Sequence, residues 1–568
     1  MTSILIWVVM LAWAGTAHAV IHFVPDDFNN LQQALDESNS NDTIVCRAGT
    51  YRGPFFVWAR NITIASEFIL THNPIDIANC IVRPSNGAPD NGCFVTQPAD
   101  STDTTLRMVG ITLSLGRAIT VGNNKGGGIY IRNRTADIKD CVFKSCLAGY
   151  GGAIYADSSV LTLKRCFMPG NDALYRGEVL YARHSTVHIM DSDIGPDGYF
   201  MPPSNTEAQI DLNSSSITIS GTHIHGFGYG PEGSAIFLRA YDGSVGYMRL
   251  HGCVIGDNSL SFFLVGSGGL GPNELTIDSC LFTENSLPFG LWVPSFIERN
   301  GTTTITRCTF ENSTVPPNTA GAPILNFSQT RATFECEQNH FHNNYGGTAA
   351  CIGLGNQFNP SQGRVQRNYF SNNSSWGYPT WQSRTIGMGN VGEGVLEFNA
   401  FVGNIGYAVY TSDFFWPTSY ALHNFWGDST GPYEATRNPG GLGDTTNAAT
   451  IYDEWLLSED EIPDTTLYPP PNAADDRRWT VPSTWFISNV YPNPFNSEFR
   501  IELDGMTGAD FEVRLFDLLG REVALLHSGR TLRGSLSFQA PSDLAAGVYF
   551  LHAKDHLYAE TKKVLYLK

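Results

Sequence analysis

The stretch DSCLFTENS, Asp278 to Ser286, recurs in altered form along the chain. CVFKSC begins at Cys141, CVIGDN at Cys253, CTFENS at Cys308, NHFHNN at Asn339, NYFSNN at Asn368 and NAFVGN at Asn399. Aligned on the small polar residue, these runs place Cys141, Cys166, Ser192, Thr222, Cys253, Cys280, Cys308, Asn339, Asn368, Asn399 and Asn424 in one column, with steps of 25 to 31 residues. Two positions later stands a large apolar residue, from Phe143 through Phe282 to Trp426. Three positions earlier the column is apolar or small, from Ile138 through Ile277 to Ala421. Period-two alternation on both sides predicts two short strands with one face buried, and the three-residue gap between them predicts a bend.

A second signal follows each run: GGGIY at Gly126, GGAIY at Gly151, GEVLY at Gly177, GSAIF at Gly233 and GYAVY at Gly406. Glycine allows a sharp turn into a third strand. Three strands and three turns in each repeat predict the coil of a parallel β-helix, stacked at about 4.8 Å per coil. The column residue then faces inward. Asn there can satisfy its amide against the coils above and below, and Cys serves as a small apolar residue. Ser, Thr and Asn replace Cys along the column. The eleven cysteines are therefore read as buried thiols rather than as disulfides or metal ligands. Asn285 is expected to mark the turn leaving its strand.

Composition agrees with an all-β chain. Of 568 residues only 16% are charged, while 57 are glycine. A net charge of −19 without any basic run excludes a nucleic-acid partner. Residues 1–19 read as a signal peptide, with an apolar core from Ile4 and the small-x-small pattern Ala17-His18-Ala19. No later stretch is apolar enough to be a transmembrane helix, so the mature chain is expected to be extracytoplasmic. Residues 456–488 form an acidic, Pro-rich linker.

Val24 to Tyr51, VPDDFNNLQQALDESNSNDTIVCRAGTY, resembles the opening of right-handed parallel β-helix proteins of the pectin-lyase-like superfamily. Phe28, Leu31, Ala34 and Leu35 would lie on one face of a short helix that covers the first coil. NFWGDSTGPYEATRNPGGLGD, Asn424 to Asp444, resembles the last coil of secreted bacterial β-helices. These ends bound a solenoid over residues 20–455. From Tyr491 the blocks YPNPFNSEFRIEL, VRLFDLLGREV, LAAGVYFLHA and KKVLYLK resemble the type A C-terminal sorting domain of the type IX secretion system. That resemblance implies a small immunoglobulin-like β-sandwich over residues 489–568, a partner in the type IX machinery, and a chain secreted by, or held on the surface of, a Gram-negative cell.

The solenoid fold leaves function open. The Asn-Thr-Asp, Gly-His-Gly and Arg-Ile-Lys motifs of polygalacturonase-like enzymes are absent, as are the Trp-x-Asp-His and Arg-x-Pro-x-x-Arg runs of pectate-lyase-like enzymes. The remaining acid–base candidates are Asp191, Asp193, His223 and His225, with Asp193 and His223 at the same outward position on adjacent coils. Against this, surface polar pairs are common. His340-x-His342 repeats the His-x-His spacing about 19 Å away, too far to share a metal. Trp376, Trp381, Phe415 and Trp416 are candidates to stack on sugars, or to lie over the solenoid as a lid. These observations favour binding, adhesion or envelope structure, with extracellular polysaccharide or a surface protein as partner. The alternative is a polysaccharide lyase or glycoside hydrolase. Neither a cofactor nor a metal is expected.

Overall fold

The computed structural model describes residues 19–85, 92–98, 104–120, 124–195, 208–226, 234–239, 246–256, 258, 262–267, 274–286, 302–315, 323–327, 333–355, 363–376, 383–389, 391–412, 419–463, 486–504, 510–517, 521–530, 534–539, 544–554 and 559–567. The signal segment 1–18, most of the linker, Gly233, Trp381, Phe415 and Trp416 lie outside the described residues.

The repeats form a parallel β-solenoid with three faces. The first face is a 14-stranded sheet running from Ile21–Val24 to Leu396–Glu397 in chain order. The second face comprises four- and eight-stranded sheets, joined through Phe167, which bridges Val142 and Asp193. The third face carries the strands that follow the Gly-rich turns, such as Ile129–Arg132 and Ile154–Asp157.

The bend between the first two faces has one physical origin. Every residue just before the inward column, from Asp140 through Ser279 to His423, is left-handed, with φ between 50° and 59°. That conformation turns the chain and keeps the next side chain inside. Asn, Asp, Ser and Gly tolerate it; at Arg165, Arg307, Arg367 and Phe398 it costs about 1 kcal/mol each. Burial on either side offsets that cost. All eleven column residues, Cys141 to Asn424, are buried, as are their apolar neighbours. Phe282, Phe310, Phe341, Phe370, Phe401 and Trp426 stack at 4.7 to 5.2 Å between ring centres.

Toward the C-terminal end the column becomes a hydrogen-bonded ladder. The Nδ2 atoms of Asn339, Asn368 and Asn399 each donate to the next Asn Oδ1, ending on Asn424, at 3.0 Å. All eleven cysteines are buried and unbridged. Asn285 follows the end of the strand Leu281–Thr283, as its sequence reading has it, and its side chain points inward to take the Asn258 Nδ2–H at 3.0 Å. A second left-handed residue, Glu284 (φ 54°), re-aims it into the core. Asn344, Asn373 and Asn404 continue this second ladder.

The first coil is covered by the helix Leu31–Glu37, which buries Leu31, Ala34 and Leu35. Asn30 caps it, with its side chain accepting the Gln33 N–H. In the last coil the Trp455 indole fills the space beside Gly431, where any Cβ would collide with it. The described residues between 486 and 567 form three- and four-stranded antiparallel sheets around a core that includes Phe499, Ile501, Val513, Leu515, Leu551 and Val564. Among the described residues no helix is long and apolar enough to cross a membrane.

Candidate functional site

Two sites face outward from the solenoid. The first gathers three of the four residues that the sequence singles out. After the left-handed Asp191 and the inward Ser192, Asp193 faces out and Ile194 faces in. One coil later Gly221 and Thr222 repeat the device, so His223 and His225 face out around the buried Ile224. Parallel pairing sets Asp193 opposite His223 and Ile194 opposite Ile224. His223 Nδ1 lies 3.4 Å from Asp193 Oδ2, and His225 Nε2 lies 2.9 Å from Asp193 Oδ1. The two imidazoles stack at 4.1 Å with 20° between their planes.

His225 reaches Asp193 because Gly195 leaves room for it. A Cβ on Gly195 would sit 2.7 Å from the His225 ring. The Asp193 side chain is 14% exposed, His223 34% and His225 24%, so the cluster is open on one side. Burial pushes the Asp193 carboxyl upward. The two imidazoles outweigh it and hold the group at about 2.

Asp191 does not join this cluster. It lies on the bend and faces Lys164 Nζ at 4.0 Å. Trp376, the remaining aromatic candidate within the described residues, is half-buried and donates Nε1–H to the Val315 carbonyl at 3.2 Å. That bond ties the indole back to the backbone of an earlier coil. His340 and His342 share Ser371 Oγ, at 3.4 and 2.8 Å, with no carboxylate between them among the described residues. Burial, then the neighbouring His342, pushes His340 down to about 4.

The second site was not singled out in the sequence. On the third face, parallel pairing sets Tyr130, Tyr155, Tyr181 and Asp211 in one outward row. Arg132, Asp157, Arg183 and Asn213 form the row beside it. The tyrosine rings follow one another at 5.0 and 5.1 Å. Tyr150 rests on Tyr181 at 5.4 Å, and Tyr175 rests on Tyr150 at 5.2 Å. The result is a propped aromatic platform whose outermost ring, Tyr175, is 51% exposed, beside Leu174 at 46%.

Asp172 opens the same strand, Asp172–Arg176. Burial, then the charge of Glu178, raises its carboxyl to about 6. Its Oδ1 is buried and has no hydrogen-bond partner among the described residues. Glu178 is itself held by the Gln209 side-chain amide. The signal for this site was the Tyr ending GGGIY, GGAIY and GEVLY. Alternation makes that Tyr outward whenever the Ile before it is inward.

Comparison with known proteins agrees with this architecture. Residues 114–295 match the right handed beta helix region family, and residues 489–566 match the secretion system C-terminal sorting domain. No curated protein matches the chain. Among solved structures, the tailspike protein gp49 from Acinetobacter baumannii bacteriophage Fri1, a capsular polysaccharide depolymerase, is 9% identical. The match covers 96% of this chain and 78% of that one with a TM-score of 0.21, an overlap too loose to bear on fold or activity. The sorting domain implies engagement of the type IX secretion machinery and delivery outside a Gram-negative cell of the Bacteroidetes, as a secreted or surface protein. The chain is thus a right-handed β-helix protein carrying a type IX C-terminal sorting domain.

Proposed function

We propose that this is a binding protein of the cell exterior, whose solenoid contacts polysaccharide. The observation that carries the reading is the exposed Tyr175 ring, propped by Tyr150 on a row of tyrosines packed tilted and edge-on. A rigid aromatic face loses little entropy on binding and presents C–H-compatible surface to a sugar ring. Polar groups to orient a ligand lie close along the chain, Asp172 and Arg176 on the same strand and Glu178 just after it. Other outward carboxylates brace the coil instead. Asp140 and Asp278 are each held by two guanidinium hydrogen bonds, from Arg165 and Arg307 respectively, and Glu337 is tied to Arg367.

A glycan array probed with the secreted chain tests this. Binding that falls about tenfold or more in Tyr175→Ala supports the reading, and equal binding by the variant sinks it.

A second reading, hydrolysis or lyase cleavage of the same polysaccharide, is favoured by Asp172. A buried carboxyl raised to about 6 beside a second carboxyl group, Glu178, has the character of an acid–base pair. Release of reducing or unsaturated ends, abolished in Asp172→Asn, would establish it. Glycan binding without any release in the wild type would leave the binding role alone.

A further inference from the structure

We propose that Asp193, His223 and His225 form a binding site for a divalent transition ion of the Zn2+ class, with one coordination position open to solvent. One ligand atom from each residue lies within 4.8 Å of the other two. Around a tetrahedral ion with bonds of about 2.0–2.2 Å, ligand atoms stand about 3.3 Å apart. Side-chain rotations therefore close the site, and the parallel pairing of adjacent coils holds its backbone in place.

The donor set selects the ion. Two imidazole nitrogens and one carboxylate oxygen suit Zn2+ and its neighbours rather than Ca2+ or Mg2+, which take oxygen ligands. Three protein ligands leave a fourth position for water or another oxygen donor. The exposure of both imidazoles gives that position access from outside.

Two further observations separate this cluster from ordinary surface pairing. Asp140, Asp278 and Glu337 are matched with arginines. The polar side-chain partners of Asp193 among the described residues are both imidazoles, a side chain that readily ligates such ions. Gly195 keeps open the space that lets His225, two residues beyond His223, bend back to the same carboxylate. His340 and His342 provide an internal control, because they repeat the His-x-His spacing around a serine hydroxyl instead of a carboxylate.

The test is calorimetric titration of the full secreted chain, stripped with EDTA, with ZnCl2 alone. One equivalent is expected to bind. Asp193→Asn and His225→Gln should each weaken binding by about tenfold or more, while the double variant His340→Ala/His342→Ala binds like wild type. His225→Gln can still hydrogen-bond Asp193, so metal-free melting close to wild type would separate lost ligation from lost folding. Co2+ should give the visible absorption of a four-coordinate ion in wild type and none in Asp193→Asn. Absence of Zn2+ binding by wild type, or wild-type affinity in both ligand variants, would overturn the site.

Discussion

Asn404 donates its Nδ2–H to the Asp444 carboxylate at 2.7 Å, and its backbone N–H reaches the same oxygen at 3.0 Å. The other Asp444 oxygen takes the Gly403 N–H at 2.9 Å. A carboxylate thus ends the second asparagine ladder, supplying an acceptor where no further coil provides an amide oxygen. Asp444→Ala should lower stability by about 2–3 kcal/mol, because the buried Asn404 loses a charged acceptor for both its donors. Asp444→Asn keeps one acceptor and should lose less. Urea unfolding of both variants checks the order, and equal losses would defeat the capping role.

The first ladder makes a parallel demand at Asn399. Its Oδ1 accepts from Asn368, and its Nδ2 donates to Asn424 Oδ1 at 3.0 Å and to the Val365 carbonyl at 2.8 Å. Leucine matches the volume but strands groups on both neighbouring coils. Asn399→Leu should cost about 3 kcal/mol or more. A thermal midpoint equal to wild type would refute the ladder.

His340 sets a pH dependence. Folding lowers its pKa from 6.5 to about 4, first through burial and then through His342. Between those values the unfolded chain binds the extra proton, so stability rises with pH. The contribution is complete above about pH 6.5 and is lost as pH falls toward 4. It amounts to on the order of 2 kcal/mol after allowance for partial exposure. His340→Gln should flatten this part of the stability profile. An unchanged difference in unfolding free energy between pH 7 and pH 4.5 would count against it.

Gly195 and Gly256 occupy the same column position but differ in what a methyl group would meet. At Gly195 it strikes the His225 carbonyl at 2.5 Å as well as the ring, whereas at Gly256 the nearest atoms are Thr283 Cγ2 and O at 3.3 Å. Gly195→Ala should therefore cost about 1–3 kcal/mol and displace His225 from Asp193. Gly256→Ala should cost clearly less. Chemical denaturation, with the His225 imidazole followed by NMR, distinguishes the two.

Arg134 breaks a serine ladder at the third corner. Ser185 Oγ takes the Ser159 N–H, and Ser215 Oγ takes the Ser185 N–H. The buried Arg134 gives the Trp58 carbonyl one hydrogen bond, while its Nε and Nη1 find no partner among the described residues. Burial pushes the guanidinium down to about 10. Arg134→Met should stabilise the fold by about 1–3 kcal/mol, since an apolar side chain of similar length carries no desolvation cost. A lower melting temperature in the variant would show that the guanidinium is better compensated than its contacts indicate.

The Cys-to-Asn column was legible because one side-chain period repeats through coil after coil, and burial then follows from alternation alone. Asn285 was legible as the residue at the turn after its strand, but its inward direction was not, because only the left-handed Glu284 before it sends that side chain into the core. Asp193 and His223 were legible as neighbours because they share a column. His225 was singled out, but its approach to Asp193 depends on the empty space over Gly195, which no spacing encodes.

The sequence by itself determined the solenoid, its inward columns and the sorting domain, because each rests on local alternation or a contiguous motif. The tertiary structure alone decided that Tyr175 stands on Tyr150 and that Asp172 loses part of its water. It also brought three metal-type ligands to one point. Those relations join side chains from different coils, and their approach depends on register, rotamer and the absence of a single Cβ.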